Sequence, residues 1–210
     1  MPPKSSDRGG HYFEEQPAAA QRPSTVDLLT AEGVVRLHTD RGVFSHSGVD
    51  VGTKVLLTEG PRPAARGLLV DLGCGYGPIA VTLARRSPDA RVWATDVNAR
   101  ARELCERNAA ELGLLNVEVH GPDEVPDAPI DELWSNPPIR IGKRPLHDLL
   151  GSWLERLAPD GRALLVVQRN LGADSLARWL GHEGWPTERL LSRQGYRILE
   201  VRPRATAATD

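Results

Sequence analysis

The sequence predicts an α/β fold built on a mostly parallel, seven-stranded sheet. Three observations carry that expectation. From Leu68 onward, short apolar runs alternate with helical patterns, as in chains that cross from one parallel strand to the next. The first such run leads into Asp71-Leu72-Gly73-Cys74-Gly75-Tyr76-Gly77, a glycine-rich turn placed between a strand and a helix. Near the end, Arg189 to Ser192 and Arg197 to Val201 are separated only by Arg193-Gln194-Gly195-Tyr196, which calls for an antiparallel hairpin.

Taken in order, residues 1–24 are rich in Pro, Ser, Gly and Ala and read as a flexible tail, with His11-Tyr12-Phe13 the only aromatic cluster in it. Val26 to Leu29 and Val34 to Leu37, joined through Ala31-Glu32-Gly33, read as a β-hairpin, and Asp40-Arg41-Gly42 as a second turn that delivers Val43, Phe44 and Ser45. A short helix is expected from Asp50-Val51-Gly52-Thr53 through Leu57, with Asp50 or Thr53 as its cap. Strands are expected at Leu68 to Leu72, Arg91 to Thr95, Val117 to His120, Glu132 to Ser135 and Ala163 to Gln168. Helices are expected at Ile79 to Arg86, Ala99 to Leu112, Leu146 to Leu157 and Asp174 to Gly181. The expected organisation is thus one domain over 25–203, comprising an N-terminal extension over 25–62 and a core over 63–203, with 204–210 as a tail.

Composition narrows the function. A chain of 210 residues with 40% apolar and 26% charged residues is an ordinary globular one, long enough for one large core. No apolar run approaches the roughly 18 residues that cross a bilayer, and the start lacks a signal-peptide core, so a cytoplasmic protein without a membrane partner is expected. Cys74 and Cys105 are the only cysteines, too few for a disulfide framework or a four-cysteine zinc site; they read as reduced packing residues, and no metal is expected. The net charge of -2 conceals an asymmetry: from Arg140 onward 12 Lys/Arg stand against 8 Asp/Glu, whereas the first 139 residues carry 14 against 20. A positive C-terminal part suits a polyanion such as RNA, and equally suits a solvated face; charge alone does not choose the substrate.

The glycine turn says more about the ligand. A dinucleotide fingerprint places its third glycine two residues past the second, where a helix N-terminus approaches pyrophosphate. Here that position is Pro78 and the third glycine comes one residue early, at Gly77, so a ligand without phosphate fits better. Asp96 closes the second strand 19 residues after Gly77, where a carboxylate can accept from two ribose hydroxyls; its alternative is to cap the helix near Ala99, a task Asn98 could also perform. At the end of the fourth strand stands Ser135-Asn136-Pro137-Pro138-Ile139. Two prolines have no N–H for a sheet and must end the strand, but an Asn facing a ligand crevice is more than a turn former.

These stretches resemble, first, motif I of the class I S-adenosylmethionine (SAM) methyltransferases, a Rossmann-like fold. The resemblance implies that Gly73, Gly75 and Gly77 let SAM approach the backbone, that Asp71 supports the loop or the ligand's ammonium, that Asp96 and Asn98 serve the ribose end, and that Asp123, or its neighbour Glu124, meets the adenine amine. Asn136-Pro137-Pro138 resembles the Asn-Pro-Pro-aromatic motif of enzymes that methylate planar nitrogens. There the Asn oxygen and the first proline's carbonyl accept both N–H groups of the target, which implies catalytic roles for Asn136 and Pro137 through positioning and electrostatics, with no covalent nucleophile. Methylation at carbon 5 of a pyrimidine would call for a cysteine near this loop, and both cysteines lie elsewhere in the sequence.

Thr39-Asp40-Arg41-Gly42-Val43-Phe44-Ser45, Asp50-x-Gly52-Thr53-x-Leu-Leu and Asn136 to Lys143 narrow the likeness to the methyltransferase small domain family, over roughly His11 to Val201. Its RsmC-like bacterial members methylate the exocyclic N2 of a guanine in 16S ribosomal RNA. The resemblance therefore implies a monomeric SAM-dependent rRNA methyltransferase, acting on ribosomal RNA or the small ribosomal subunit, with Phe44, Pro138, Ile139, Arg140 and Lys143 toward the substrate. Those bacterial members carry a second, degenerate N-terminal copy of the domain, and the motifs occur once here. Ile139 also stands where an aromatic is usual, removing stacking worth about 1 to 3 kcal/mol per base, for which Phe44 could substitute. Methylation of a protein glutamine amide or of adenine N6 uses the same Asn-Pro-Pro device, and a catalytically silent SAM-binding module of ribosome assembly remains a reading of another class.

Overall fold

The computed structural model describes residues 22–205. The first 21 residues of the tail expected over 1–24, with the His11-Tyr12-Phe13 cluster, and residues 206–210 of the tail expected over 204–210 lie outside the described residues. The chain runs β1 (Pro23–Thr30), β2 (Gly33–Asp40), α1 (Val51–Glu59), β3 (Arg66–Leu72), α2 (Pro78–Arg86), β4 (Asp89–Thr95), α3 (Ala99–Glu111), β5 (Val117–His120), β6 (Ile130–Ser135), α4 (Lys143–Leu154), β7 (Leu157–Gln168), α5 (Ala173–His182), β8 (Thr187–Arg193) and β9 (Tyr196–Val201).

β1 and β2 pair as a separate hairpin, and the other seven strands form one sheet in the order β5-β4-β3-β6-β7-β9-β8. Neighbours from β5 through β7 are parallel, and β9 runs antiparallel between β7 and β8. The final strand is therefore inside the sheet, as a class I SAM methyltransferase fold requires. Period-two alternation divides the core between the faces. Leu69, Val92, Trp134, Leu164 and Ile198 pack on the face that carries the hairpin, α1, α2 and α3. Val70, Trp93, Leu133, Leu165 and Leu199 pack on the face that carries α4 and α5.

Several boundaries differ from the sequence reading, most of all at β1, at α4 and at β7, which begins at Leu157 instead of Ala163. β1 begins at Pro23, because Pro23 and Ser24 pair with Asp40 and Thr39 and the Arg22 N–H donates to the Asp40 carboxylate at 2.6 Å. α4 begins at Lys143 instead of Leu146 and ends at Leu154 instead of Leu157. Pro145 lies in its first turn, where a missing N–H costs no helical bond, so the proline does not mark a break. Leu157 is taken into the sheet opposite Ile130.

The N-terminal extension is fastened to the core by buried polar contacts. Asn108 on α3 accepts from the His38 N–H at 2.7 Å and donates to the His38 carbonyl at 2.9 Å and the Tyr76 carbonyl at 2.8 Å, so one amide joins β2 to the glycine turn. Arg86, at the end of α2, donates to Glu32 in the hairpin turn and to the Leu57 carbonyl of α1.

Beneath the glycine turn, Asp71 is fully buried and accepts from the Ala80 N–H at 2.9 Å, which secures the first turn of α2. Burial pushes its pKa up to about 8, and the charge of Asp96 adds to the shift. The folded state thus holds the Asp71 proton up to about pH 8, whereas an ordinary Asp releases it near 3.8. This contribution to stability is complete below the unfolded value and is lost as pH rises through the folded one. Denaturant unfolding of the wild type between those two values should show stability falling as pH rises, and Asp71→Asn, which keeps the acceptor for Ala80, should flatten that dependence.

Candidate active site

The carboxyl ends of the parallel strands open into a cavity of about 300 Å³. One half of its wall comes from the ends of β3, β4 and β5: Leu72, Gly73, Gly75, Thr95, Asp96, Val97, Asn98 and Pro122. The other comes from the segments after β6 and β7 and the start of β9, through Asn136 to Arg140, Gln168, Leu171 and Tyr196, with Phe44 and Asp50 added from the N-terminal extension. This is the crevice at which an open α/β sheet binds ligands.

The first half fits a nucleoside-like ligand without phosphate. Gly73 and Gly75 adopt φ of +76° and +56°, and nothing stands within 4 Å of where a Cβ would be, so the backbone there is open to a ligand. The turn is pinned from behind, where the N–H groups of Gly73 and Cys74 both donate to the Thr95 carbonyl. Asp96 is bonded through both oxygens, one accepting from the Gly75 N–H and the other from the Asn98 N–H, each at 2.9 Å. Each oxygen keeps lone pairs for a pair of vicinal hydroxyls. Burial raises the Asp96 pKa, and these two N–H groups with Arg102 counter the shift.

Several residues expected at the cofactor stand behind the wall. Asp71 and Gly77 do not line the cavity. A Cβ on Gly77 would meet the Cys105 sulfur at 2.6 Å, so that glycine is there to let α3 pack against the turn. Asn98 does line the cavity, but its side chain is fully engaged: the oxygen caps α3 through the N–H groups of Arg100 and Ala101, and the nitrogen donates to the Gly42 carbonyl at 3.0 Å. This frees Asp96 from capping and holds the Val43–Phe44 loop beside the crevice. Asp123 is exposed and outside the wall, Glu124 turns back to accept from the Gly121 N–H, and Pro122 is the residue of that loop that reaches the cavity. Cys74 and Cys105 are both buried and absent from the wall; their mutual hydrogen bond and burial push the Cys74 thiol up.

In the second half the decisive geometry is at Asn136. Its side-chain nitrogen donates to the Asp50 carboxylate at 2.9 Å and to the Thr53 hydroxyl at 3.1 Å. A carboxylate offers only acceptors, so the NH₂ end must face Asp50 and the amide oxygen is left for the cavity. Asp50 also accepts from the Thr53 N–H at 3.2 Å as the cap of α1. Pro137 is buried, and its carbonyl accepts from the Ile139 N–H at 2.8 Å, which leaves it one lone pair. Pro138, Ile139 and Arg140 line the cavity, whereas Lys143 lies exposed at the start of α4. Phe44 is on the wall and 48% exposed, an aromatic face without a full covering.

Sequence reasoning did not assign two members of this wall. Asp50 was read only as a cap, 86 residues from the Asn it holds. Tyr196 was read only as a turn residue, yet its ring lines the cavity and lies against Gly52, where a Cβ would stand 2.6 Å from the ring. A glycine inside the short α1 was the available signal for that close approach. Burial and the Asp50 carboxylate raise the Tyr196 hydroxyl pKa, with Arg140 acting in the opposite sense.

The methyltransferase small domain family matches residues 34–200. The chain belongs to that family. Its fold and family make it a class I SAM-dependent methyltransferase, with SAM as the cofactor. It is 31% identical over 196 residues to YbxB of Bacillus subtilis, covering 91% of this chain and 98% of that protein. It is 35% identical over 192 residues to ribosomal RNA small subunit methyltransferase C of Pseudomonas aeruginosa, covering 88% of this chain and 55% of the relative. The solved 16S rRNA N2 G1207 methyltransferase RsmC of T. thermophilus, in complex with AdoMet and guanosine, superposes with a TM-score of 0.71 at 22% identity, over 90% of this chain and 52% of that one. The chain thus spans about half the length of the RsmC relatives it matches. No helix among the described residues is long and apolar enough to cross a membrane.

Asp50 holds the Asn136 amide in place. Asp50→Ala should lower kcat about tenfold by releasing the amide to rotate, with SAM affinity unchanged and a stability cost of about 1 kcal/mol from the lost cap. Asp50→Asn, whose amide oxygen can still accept from Asn136, should restore most of kcat. Steady-state kinetics of both variants check this, and equal kcat in the two would contradict it.

Proposed function

We propose that the protein transfers the methyl of SAM to the exocyclic N2 amine of a guanine in 16S ribosomal RNA, in the cytoplasm. The observation that carries this reading is the locked Asn136 amide, which presents an acceptor oxygen beside a cavity lined by flat and apolar side chains.

When bound, SAM supplies an electrophilic methyl on a sulfonium, so the target must bring a lone pair. The lone pair of a guanine N2 amine is delocalised into the ring. Asn136 Oδ1 accepts one N–H and the free lone pair of the Pro137 carbonyl accepts the other, which turns the nitrogen lone pair toward the methyl and stabilises the positive charge that develops there. As the N–C bond forms and the S–C bond breaks, the nitrogen gives up a proton to solvent, and no side chain need carry it. Tyr196 and Phe44 provide the aromatic faces that Ile139 lacks, and bases stack on such faces at about 1 to 3 kcal/mol each. The choice of guanine in small-subunit RNA is supported by the relatives named ribosomal RNA small subunit methyltransferase C and by the guanosine in the T. thermophilus complex.

Labelled SAM offered with naked 16S rRNA, with 30S subunits and with release factor tests the reading directly. Wild type should label RNA, SAM should raise its melting temperature by mass action, and Asn136→Ala should lose about 100-fold or more in kcat while keeping that melting shift. Turnover retained by Asn136→Ala would overturn the amine-positioning role, and label found in release factor instead of RNA would overturn the substrate.

A further inference from the structure

Charge is uneven around the rim of the cleft. On the cofactor side, the segment 120–128 after β5 holds Asp123, Glu124 and Asp127 without a Lys or Arg, while Arg41, Arg100 and Arg102 gather near Asp96 at the end of β4. On the target side, three segments meet at the other half of the same rim: 136–147 after β6, 168–173 after β7, and 192–197 across the β8–β9 turn. None contains an Asp or Glu, and together they carry Arg140, Lys143, Arg144, Arg169, Arg193 and Arg197. Arg197 is paired with Asp174. The other five are exposed, and among the described residues no acidic side chain pairs with them.

The three segments are contiguous in space. The Arg169 N–H donates to the Gly195 carbonyl at 2.8 Å, joining the β7 exit to the β8–β9 turn. Arg193 is paired with Tyr196 across that turn, and Tyr196 lies within electrostatic reach of Arg140. Arg140 and Tyr196 both line the cavity, so the cations begin at its mouth and extend outward along one side only. Unpaired, exposed arginines of this kind elsewhere on the molecule, such as Arg62 and Arg85, stand toward the opposite ends of the strands.

We infer that Arg140, Arg144, Arg169 and Arg193, with Lys143, form the track that holds the phosphates of a single RNA strand on either side of the target nucleotide. The inference rests on RNA being the substrate, as proposed above, and adds where and how the strand lies. Phosphate contacts of this kind fix register and orientation, while the base enters the cavity and is read there. A concave site of this size takes a base only once it has left its stack, which costs least on a single strand.

Binding of a single-stranded oligoribonucleotide, measured by fluorescence anisotropy at several salt concentrations, tests the track. The variant Arg140→Gln/Arg144→Gln/Arg169→Gln/Arg193→Gln should lose about tenfold or more in affinity, and its slope of log K against log salt should fall by about 3, from roughly 0.7 per phosphate contact on a single strand. Removing the same kind of charge at the far end of the sheet, by Arg62→Gln/Arg85→Gln, should leave slope and affinity unchanged. A melting shift with SAM equal to that of wild type confirms that the rim variant is folded. If it is not, Arg169→Gln/Arg193→Gln alone should lower the slope by about 1.4. Wild type that binds and methylates RNA, with an unaltered slope in the rim variant, would overturn the track and leave the substrate reading standing. Wild type that neither binds nor labels any RNA would overturn both.

Discussion

The site depends on how the N-terminal extension is tied to the sheet. Three buried or half-buried asparagine amides do this, each from a different part of the core. Asn98, at the start of α3, holds the Gly42 carbonyl; Asn108, in the body of α3, holds both backbone groups of His38 and the carbonyl of Tyr76; Asn136, after β6, holds Asp50 and Thr53. Each amide has a donor end and an acceptor end, so each can satisfy a loop on one side and a helix or ligand on the other. Buried polar groups of this kind rigidify a structure only when every end is used, and here the single end left for the cavity is the oxygen of Asn136.

The extension therefore forms one wall of the active site as well as packing against the core. Asp50 sets the orientation of the Asn136 amide, Gly52 makes room for the Tyr196 ring, and Phe44 is held at the rim by the Asn98 contact with its loop. The sheet supplies a second, opposite contribution. Glycines in left-handed conformations and a carboxylate braced by two N–H groups leave an open backbone and ready acceptors at the ends of β3 and β4. The two halves of the cavity are thus built by different parts of the chain, and the strand order places them side by side.

Much of this was legible in the sequence because it is local. The alternation of strands and helices, the glycine turn, Asp96, the Asn-Pro-Pro element and the terminal hairpin all follow from residues a few positions apart. What local patterns do not carry is which distant residue meets which. Nothing near Asp50 announces Asn136, and a tyrosine in a hairpin turn does not reveal that it faces a ligand crevice. The glycine turn shows the converse. Gly73, Gly75 and Gly77 read alike, yet only the first two open toward the cavity, while Gly77 yields space to Cys105. Asp71 and Asn98 likewise carry the residue types of a binding site but spend their hydrogen bonds on helix starts and loop anchoring.

The central claim is that an asparagine oxygen, fixed from behind by the N-terminal extension, receives a flat NH₂ group. The most direct measurement is nucleoside analysis by mass spectrometry of small-subunit rRNA after methyl transfer in vitro, locating the methyl on its atom. The account predicts N2-methylguanosine. A methyl on a ring carbon, a ring nitrogen or a ribose oxygen, none of which presents an NH₂ to Asn136, would contradict it.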